Sequence, residues 1–352
     1  MSSTTGPRRP NPDTQRDVLS VLINGYQTTA LLHVAARLGL ADLLADGPRS
    51  SSELAQSLGA HGPSLRRILR GLVAIGVFSE GRDGRFGLTP RGQWLRAETP
   101  GSLRGTAILA AEEYVGAWGG LLHSAMTGEP AFDHVFGMSL WQHREQHPEL
   151  DAYFNATLSN VTSRVADVLL AAYDFSAFHT VLDVGGGQGA LLAAILKAHP
   201  SLTGILYDKP HVIAQARSHL EEAGVAARCQ AVEGDFFDHV PEGADAHILK
   251  HVIHDWDDER SIAILRNCHS ALKEQGRLLI VERLLPPRAE EGSIAMLRDV
   301  VMLATTSGRE RSEAEFRDIV AAAGFTLARV IPTRFPIVII ECTRGEVGKE
   351  GT

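Results

Sequence analysis

The run TVLDVGGGQGALLAAIL, residues 180–196, narrows most sharply what this chain can become. A short apolar strand carries Asp183 near its end, Gly185, Gly186, Gly187 and Gly189 follow at once, and an apolar helical pattern starts at Ala190. Glycine lets a backbone turn with positive φ and approach a ligand closely. A turn needed only for packing would require fewer glycines. Strand, glycine loop and helix in that order form the opening unit of a sheet that binds a ligand at its carboxyl edge.

The rest of the C-terminal half keeps the rhythm. β-rich runs at 204–208, 228–232, 246–250 and 277–282 alternate with helical patterns such as 190–198 and 261–272. That alternation predicts an α/β, Rossmann-like, mostly parallel sheet covered on both faces. Runs 326–332 and 337–342 follow each other with no helix between, which predicts an antiparallel last strand. The N-terminal half is different. Val18, Leu22, Tyr26, Ala30 and Val34 recur at helical spacing. Helical patterns at 53–58 and 64–75 precede a hairpin near 82–84, the order of a winged helix. Stretches 103–126 and 150–173 are again helical. The expected organisation is a disordered tail (1–17), an all-helical winged-helix domain (18–100), a helical linker with pocket helices (101–177) and the sheet domain (178–345), with the boundary near 174–178.

A length of 352 residues suits two domains. The net charge of −8 argues against whole-chain binding to nucleic acid or an anionic membrane. Three scattered cysteines, Cys229, Cys268 and Cys342, form no CxxC pair, which fits a reducing cytoplasm. No apolar run is long enough to span a bilayer, and the polar start lacks a signal-peptide core.

The glycine loop alone leaves two ligands open, because Gly185-x-Gly187-x-x-Ala190 with Asp208 downstream also matches a dinucleotide fingerprint. Three features favour S-adenosylmethionine. Asp183 at the strand end suits its cationic amino group and would repel a pyrophosphate. The run Gly234, Asp235, Phe236 closes the third strand, where Asp235 can accept from an adenine amine and Phe236 can cover the ring. The loop also lies after an all-helical region. A nicotinamide oxidoreductase would need a hydride-transfer constellation, and none is visible.

Six segments then occur in order: LDVGGGQG, YDKPHVI, GDFFDHVP, LKHVIHDWDDE, LLIVERLLP and GRERSEAEF followed by AAAGF. With them the chain resembles class I S-adenosylmethionine-dependent O-methyltransferases of the two-domain caffeate and antibiotic-tailoring type, from about Val18 to Cys342. The resemblance implies that Gly185 faces the methionine part and Asp208 the ribose hydroxyls, that Asp235 and Phe236 hold the adenine, and that Lys250 lies near the cofactor. Lys209 departs from the pattern, standing where an apolar residue is common. It can pair with Asp208 or point to solvent.

Methyl transfer from a sulfonium to a hydroxyl needs alignment and a base, not a metal, and no His/Cys/Asp cluster shows ligand spacing. His254 in KHVIHDWDD is the candidate base, since neutral imidazole is abundant at cellular pH. It could equally cap a surface helix with Asp255. The resemblance places Glu282 and Glu310 against it as orienting acids. Asp255 would help position substrate or cofactor, and Trp256 would pack. Phe154, Leu158 and Met302 would line an acceptor pocket by the family pattern. Trp118, Met138 and Trp141 can add soft or aromatic walls, and Asn155 and Asp299 polar contacts. Together they suggest a small flat aromatic acceptor, a phenol or polyketide-like ring.

A transcription regulator is the rival from another class. Its recognition helix would hold Arg66, Arg67 and Arg70, in a segment (49–95) with seven arginines against three acids. The apolar run GLVAIGVF and the wide stripe of the first helices fit a homodimer interface instead. In the family that the chain resembles, this domain dimerises and closes part of the partner's site.

Overall fold

In the computed structural model, which describes residues 12–345, the chain divides into two compact units, one ending at Val115 and one starting at Gly116. The expected tail is helical where it is described: Pro12–Ile23 forms a helix, and residues 1–11 lie outside the described residues. Pro12 sits at the first helical position, where a residue without a backbone N–H is tolerated.

The first unit continues with the helices Gly25–Arg37, Ser51–Leu58 and Gly62–Ala74. Ser50 starts the second of these by a reciprocal cap: its side chain accepts from the Glu53 N–H, and Glu53 accepts from the Ser50 N–H. Strands β1 (Arg49–Ser50), β2 (Phe78–Glu80) and β3 (Arg85–Leu88) form an antiparallel wing in the order β1-β3-β2. Leu54, Leu69, Leu72, Phe78 and Phe86 fill its core. Arg66, Arg67 and Arg70 are exposed on the helix Gly62–Ala74. Some of the basic charge is spent inside the unit: Arg70 pairs with Glu80, Arg85 with Glu53, and Arg91 donates to the Ile75 carbonyl. Val18, Leu19, Leu22 and Ile23 stand exposed on the first helix.

The second unit carries the sheet. Strands β4 (Thr180–Val184), β5 (Thr203–Asp208), β6 (Cys229–Glu233), β7 (Ala246–Lys250), β8 (Arg277–Glu282), β9 (Phe325–Pro332) and β10 (Val338–Arg344) run in the order β6-β5-β4-β7-β8-β10-β9. The first five are mutually parallel, and β10 lies antiparallel to both β8 and β9. The strand order reverses between β4 and β7, so the carboxyl ends of β4, β7 and β8 border one crevice. Alternate residues of β4 feed separate cores: Val181 faces Leu191 and Leu196 on one side, while Leu182 and Val184 face Ile264 and Phe316 on the other.

The division after Val115 differs from the boundary expected near 174–178. Composition changes at residue 178, but contacts do not. The 25-residue helix Pro148–Ala172 lays Val165, Ala166 and Leu169 into the same core as Val181, Leu191 and Ile248. No single helix among the described residues is long and apolar enough to cross a membrane; the bent pair Thr14–Ile23 and Gly25–Arg37 passes that test only together.

If the long helix belongs to the sheet's core, Leu169→Ala should lower unfolding free energy by about 2–5 kcal/mol, the usual loss for a fully packed leucine. Urea titration measures it. An unchanged midpoint would mean that the helix is a linker.

Candidate active site

Strand β7 ends at Lys250, and the chain turns sharply. His251 has φ +54°, the one non-glycine residue with positive φ among the described residues. Strain of this kind persists where the surroundings over-determine a conformation. Ile253–Asp255 then form a short 3-10 turn. Asp257, not His254 or Asp255, caps the following helix Asp258–Ala271, accepting from the Arg260 N–H at 2.8 Å. His254 is thereby free of the capping role and points inward, nearly buried.

Three segments converge on it. Glu282, at the end of β8, is fully buried, and its Oε2 lies 3.2 Å from His254 Nδ1. Glu310 Oε1 lies 3.3 Å from the same nitrogen. Neither contact has hydrogen-bond alignment, so both are ion-pair contacts. Glu282 Oε1 also accepts from the His254 backbone N–H at 3.3 Å. Asp255 Oδ1 stands 3.7 Å from the other ring nitrogen, Nε2.

This constellation sets the charges. Burial alone would push His254 down, but Glu282, Asp255 and Glu310 outweigh it and raise its pKa to about 9. Burial works against Glu282 ionising, yet His254 and His251 hold its pKa at about 2. Burial raises Asp255 to about 6 against the pull of His254. At neutral pH the site holds an imidazolium among carboxylates.

Sequence reading missed His251. Its Nδ1 lies 3.2 Å from Glu282 Oε2, and its ring stacks on that of His254 with centroids 5.1 Å apart. Burial drops its pKa to about 4, so it is neutral where His254 is charged. The expectation that no cluster has ligand spacing also needs correction. His251, His254 and Glu282 bring one potential metal-ligand atom each within 4.8 Å of the others. Sequence spacing hid the group because Glu282 comes from another strand. Glu282 Oε2 lies 3.2 Å from Nδ1 of both His251 and His254, so the acid already bridges the two rings. As built, the group is an ion-pair network.

Gly308 was also overlooked, although it stands in SGRERSE beside Glu310. A Cβ there would lie 2.0 Å from the His254 carbonyl oxygen and 2.4 Å from the Asp255 carbonyl carbon. Only glycine lets the two backbones touch.

The glycine loop forms the neighbouring crevice. Gly185, Gly187 and Gly189 all have positive φ, and a Cβ on Gly186 would strike Leu206 and the Asp183 carboxyl. Asp183 is buried, and its Oδ2 has no hydrogen-bond partner. Burial raises its pKa to about 7, with Lys250 pulling the other way. Lys250, at the end of β7, is coupled to Asp183 and Glu282, and burial lowers its pKa. Asp208 accepts from the Gly187 N–H at 2.8 Å and the Lys209 N–H at 2.7 Å. The Lys209 ammonium pairs with Glu145 at 3.2 Å and leaves the Asp208 carboxylate to the backbone. Phe236 lies beside Gly185. Gly234 has no room for a side chain against Tyr207, and Asp235 Oδ1 accepts from the Phe237 N–H at 2.9 Å.

A cavity of about 740 Å³ opens here, lined among others by Trp141, Glu145, Lys209, Asp235, Asp255 and Trp256. Trp141 stacks on Trp256 at 6.1 Å and meets Phe154 edge-on at 6.3 Å. Leu158 and Met138 are half-buried, Met302 is buried, and Trp118 is exposed. The two expected polar contacts each have an internal partner. Asn155 donates to Asp151 one helical turn earlier, and Asp299 accepts from the Glu310 N–H at 3.0 Å. Asp299 therefore steadies Glu310.

Comparison with known proteins places this geometry. The O-methyltransferase domain model matches residues 118–326, and the O-methyltransferase dimerisation domain model matches residues 20–98. The chain is 47% identical to the phenazine O-methyltransferase PhzM of Lysobacter antibioticus, over 92% of this chain and 95% of that protein. The crystal structure of LaPhzM superposes with a TM-score of 0.90 at 46% identity, covering 94% of this chain and 99% of the other. The O-methyltransferase NcsB1 of neocarzinostatin biosynthesis, solved with S-adenosylmethionine and 2-hydroxy-5-methyl naphthoic acid, gives a TM-score of 0.80 at 36% identity, covering 90% and 96%.

The close approach at Gly308 yields a direct test. Gly308→Ala must push the 254–256 backbone aside, costing about 1–3 kcal/mol of stability. It should also cut methyl transfer at least about tenfold, because a shift of about 1 Å misaligns the site. Urea unfolding and steady-state turnover would show both, and an unaffected variant would refute the packing account.

Proposed function

This chain belongs to the S-adenosylmethionine-dependent O-methyltransferase family, and from that premise we propose that it methylates a hydroxyl of a flat, polycyclic aromatic metabolite, with His254 as general base. The family assignment carries S-adenosylmethionine dependence and small secondary-metabolite acceptors with it. The aromatic class, in particular a hydroxylated phenazine, rests on the 47% identity to a phenazine O-methyltransferase and on the Trp141–Trp256 wall of the cavity. The observation that carries the base assignment is the placement of His254 Nδ1 against Glu282 and Glu310, which leaves Nε2 to face the acceptor.

The crevice fits the cofactor. The unpartnered Asp183 Oδ2 suits a cationic amino group, and the Gly185–Gly187 backbone leaves room beside it. Asp208 would take the ribose hydroxyls, Asp235 the adenine amine, and Phe236 the adenine face. Bound there, the cofactor supplies a methyl group already activated on a positive sulfur. The protein's task is then to hold the acceptor oxygen in line and accept its proton. Glu282 and Glu310 fix the ring angle and favour the imidazolium that results. Asp255, beside Nε2, would orient the acceptor hydroxyl.

We also infer a homodimer formed through the dimerisation domain and the exposed apolar residues Leu122 and Met126. Three unpaired cysteines, two of them buried, suit work in a reducing cytoplasm.

A single-methyl mass shift on a hydroxyphenazine, dependent on S-adenosylmethionine, tests the reaction. The pH profile tests the base. His254 carries its proton below a pKa of about 9, and only the neutral form accepts another. So kcat/KM should climb about tenfold per pH unit and level off near pH 9. Glu310→Gln removes a charge that stabilises the imidazolium, so the limb should move to lower pH. His254→Ala should lose about 10²–10⁴ in turnover and the limb with it, while S-adenosylmethionine affinity stays nearly unchanged. A His254→Ala enzyme with wild-type turnover would leave alignment alone as the source of catalysis.

A further inference from the structure

The helix cap, the glycine loop and the charged cluster leave the buried cation Arg311 unaccounted for. Arg311 is fully buried, directly after Glu310. Its Nη1 donates to the Ile253 carbonyl at 3.1 Å, and its Nη2 to the Trp256 carbonyl at 2.9 Å. Those carbonyls bracket His254 and Asp255. The same guanidinium binds Asp258 Oδ1 through Nε at 3.0 Å and Nη2 at 2.7 Å, and reaches Ser261 Oγ at 3.2 Å. Ser261 Oγ in turn lies 3.3 Å from both the Ile253 and Trp256 carbonyls. On its other side, the Arg311 carbonyl accepts from the Leu285 N–H at 2.9 Å, three residues past Glu282.

We propose that Arg311 is a positioning residue for methyl transfer: one guanidinium clamps both ends of the His254–Asp255 turn and sets the imidazole against Glu282 and Glu310. The proposal rests on His254 being the base. A buried ion pair is weak ground for stability, since apolar replacements are often as stable. What this one does is geometric. The segment 308–311 delivers the acid at Glu310, the close backbone contact at Gly308 and the clamp at Arg311, so acid and base move as one body. A planar fork with several donors can span two carbonyls and a carboxylate at once, whereas an ammonium acts as a point charge. Loosening the clamp leaves the glycine crevice intact, so the loss should appear in turnover and not in cofactor binding.

The experiment is a double-mutant cycle in the full chain. Arg311→Lys should lower kcat about tenfold to a hundredfold, with acceptor KM and S-adenosylmethionine affinity within about twofold of wild type. On the His254→Ala background the same change should cost no more than about twofold, because the clamp acts through the imidazole. Asp258→Asn, at the half-exposed end of the clamp, should repeat the pattern with a smaller loss, and it carries the cycle if Arg311→Lys does not fold. Wild-type kcat in a folded Arg311→Lys or Asp258→Asn enzyme overturns the proposal. So do equal losses on both backgrounds with an impaired His254→Ala. Wild-type turnover in His254→Ala overturns the base assignment, and the positioning role falls with it.

Discussion

One buried carboxylate, Glu282, holds the active centre together. It stands at the carboxyl end of β8 with no exposure to solvent, and an isolated charge there would cost several kcal/mol. It remains ionised because His254, His251 and a backbone N–H all face it. Each of those groups depends on Glu282 in return. His254 keeps its proton because of it, and the strained His251 turn places a neutral ring on its remaining side. The sheet contributes the fixed point: β8 is flanked by β7 and β10, so its last residue cannot drift.

The resting charge state follows from this balance. An imidazole surrounded by carboxylates is a strong base but a rarely free one. If His254 takes the proton of a phenolic acceptor, as proposed, its raised pKa improves the match for that transfer while lowering the neutral fraction at neutral pH. A positive charge bound nearby shifts that balance toward the neutral ring. On the proposed reading of His254 as the base, the acids around its ring also set how much of it is neutral.

Much of this was visible in the sequence because it is local. Strand β4, its glycine loop and Asp208 lie within one continuous unit whose spacing marked a ligand crevice, and Asp183 with the run Gly234, Asp235, Phe236 favoured S-adenosylmethionine. Glu282 sits at a strand end and His254 four residues past one, and periodicity locates strand ends well. What stayed hidden depends on pairs far apart in the chain. Nothing in SGRERSE says that Gly308 touches the His254 carbonyl or that Arg311 reaches across to Ile253, and nothing in KHVIH says that both histidines share one acid. The internal partners of Asn155 and Asp299 were likewise not legible. Their partners, Asp151 and the Glu310 amide, lie inside the protein. The helix Pro148–Ala172 reads from the sequence as part of a linker with pocket helices because composition changes after it, and its packing against the sheet core shows only in the structure.

The antiparallel strand β10 has a consequence for biosynthesis. It is the last strand in the chain order but lies between β8 and β9 in space, and Val338 pairs with Glu282 itself. During translation, β8 and the catalytic turns emerge first and wait with an open edge beside the buried acid. The pairing that closes this edge becomes possible only when residues 338–344 leave the ribosome. A chain that stalls before that point carries His254, Glu282 and Glu310 but lacks the strand that pairs beside Glu282. Unpaired edges recruit other strands, so such a fragment is marked for clumping or clearance. The topology thus ties closure of the edge beside Glu282 to synthesis of residues 338–344.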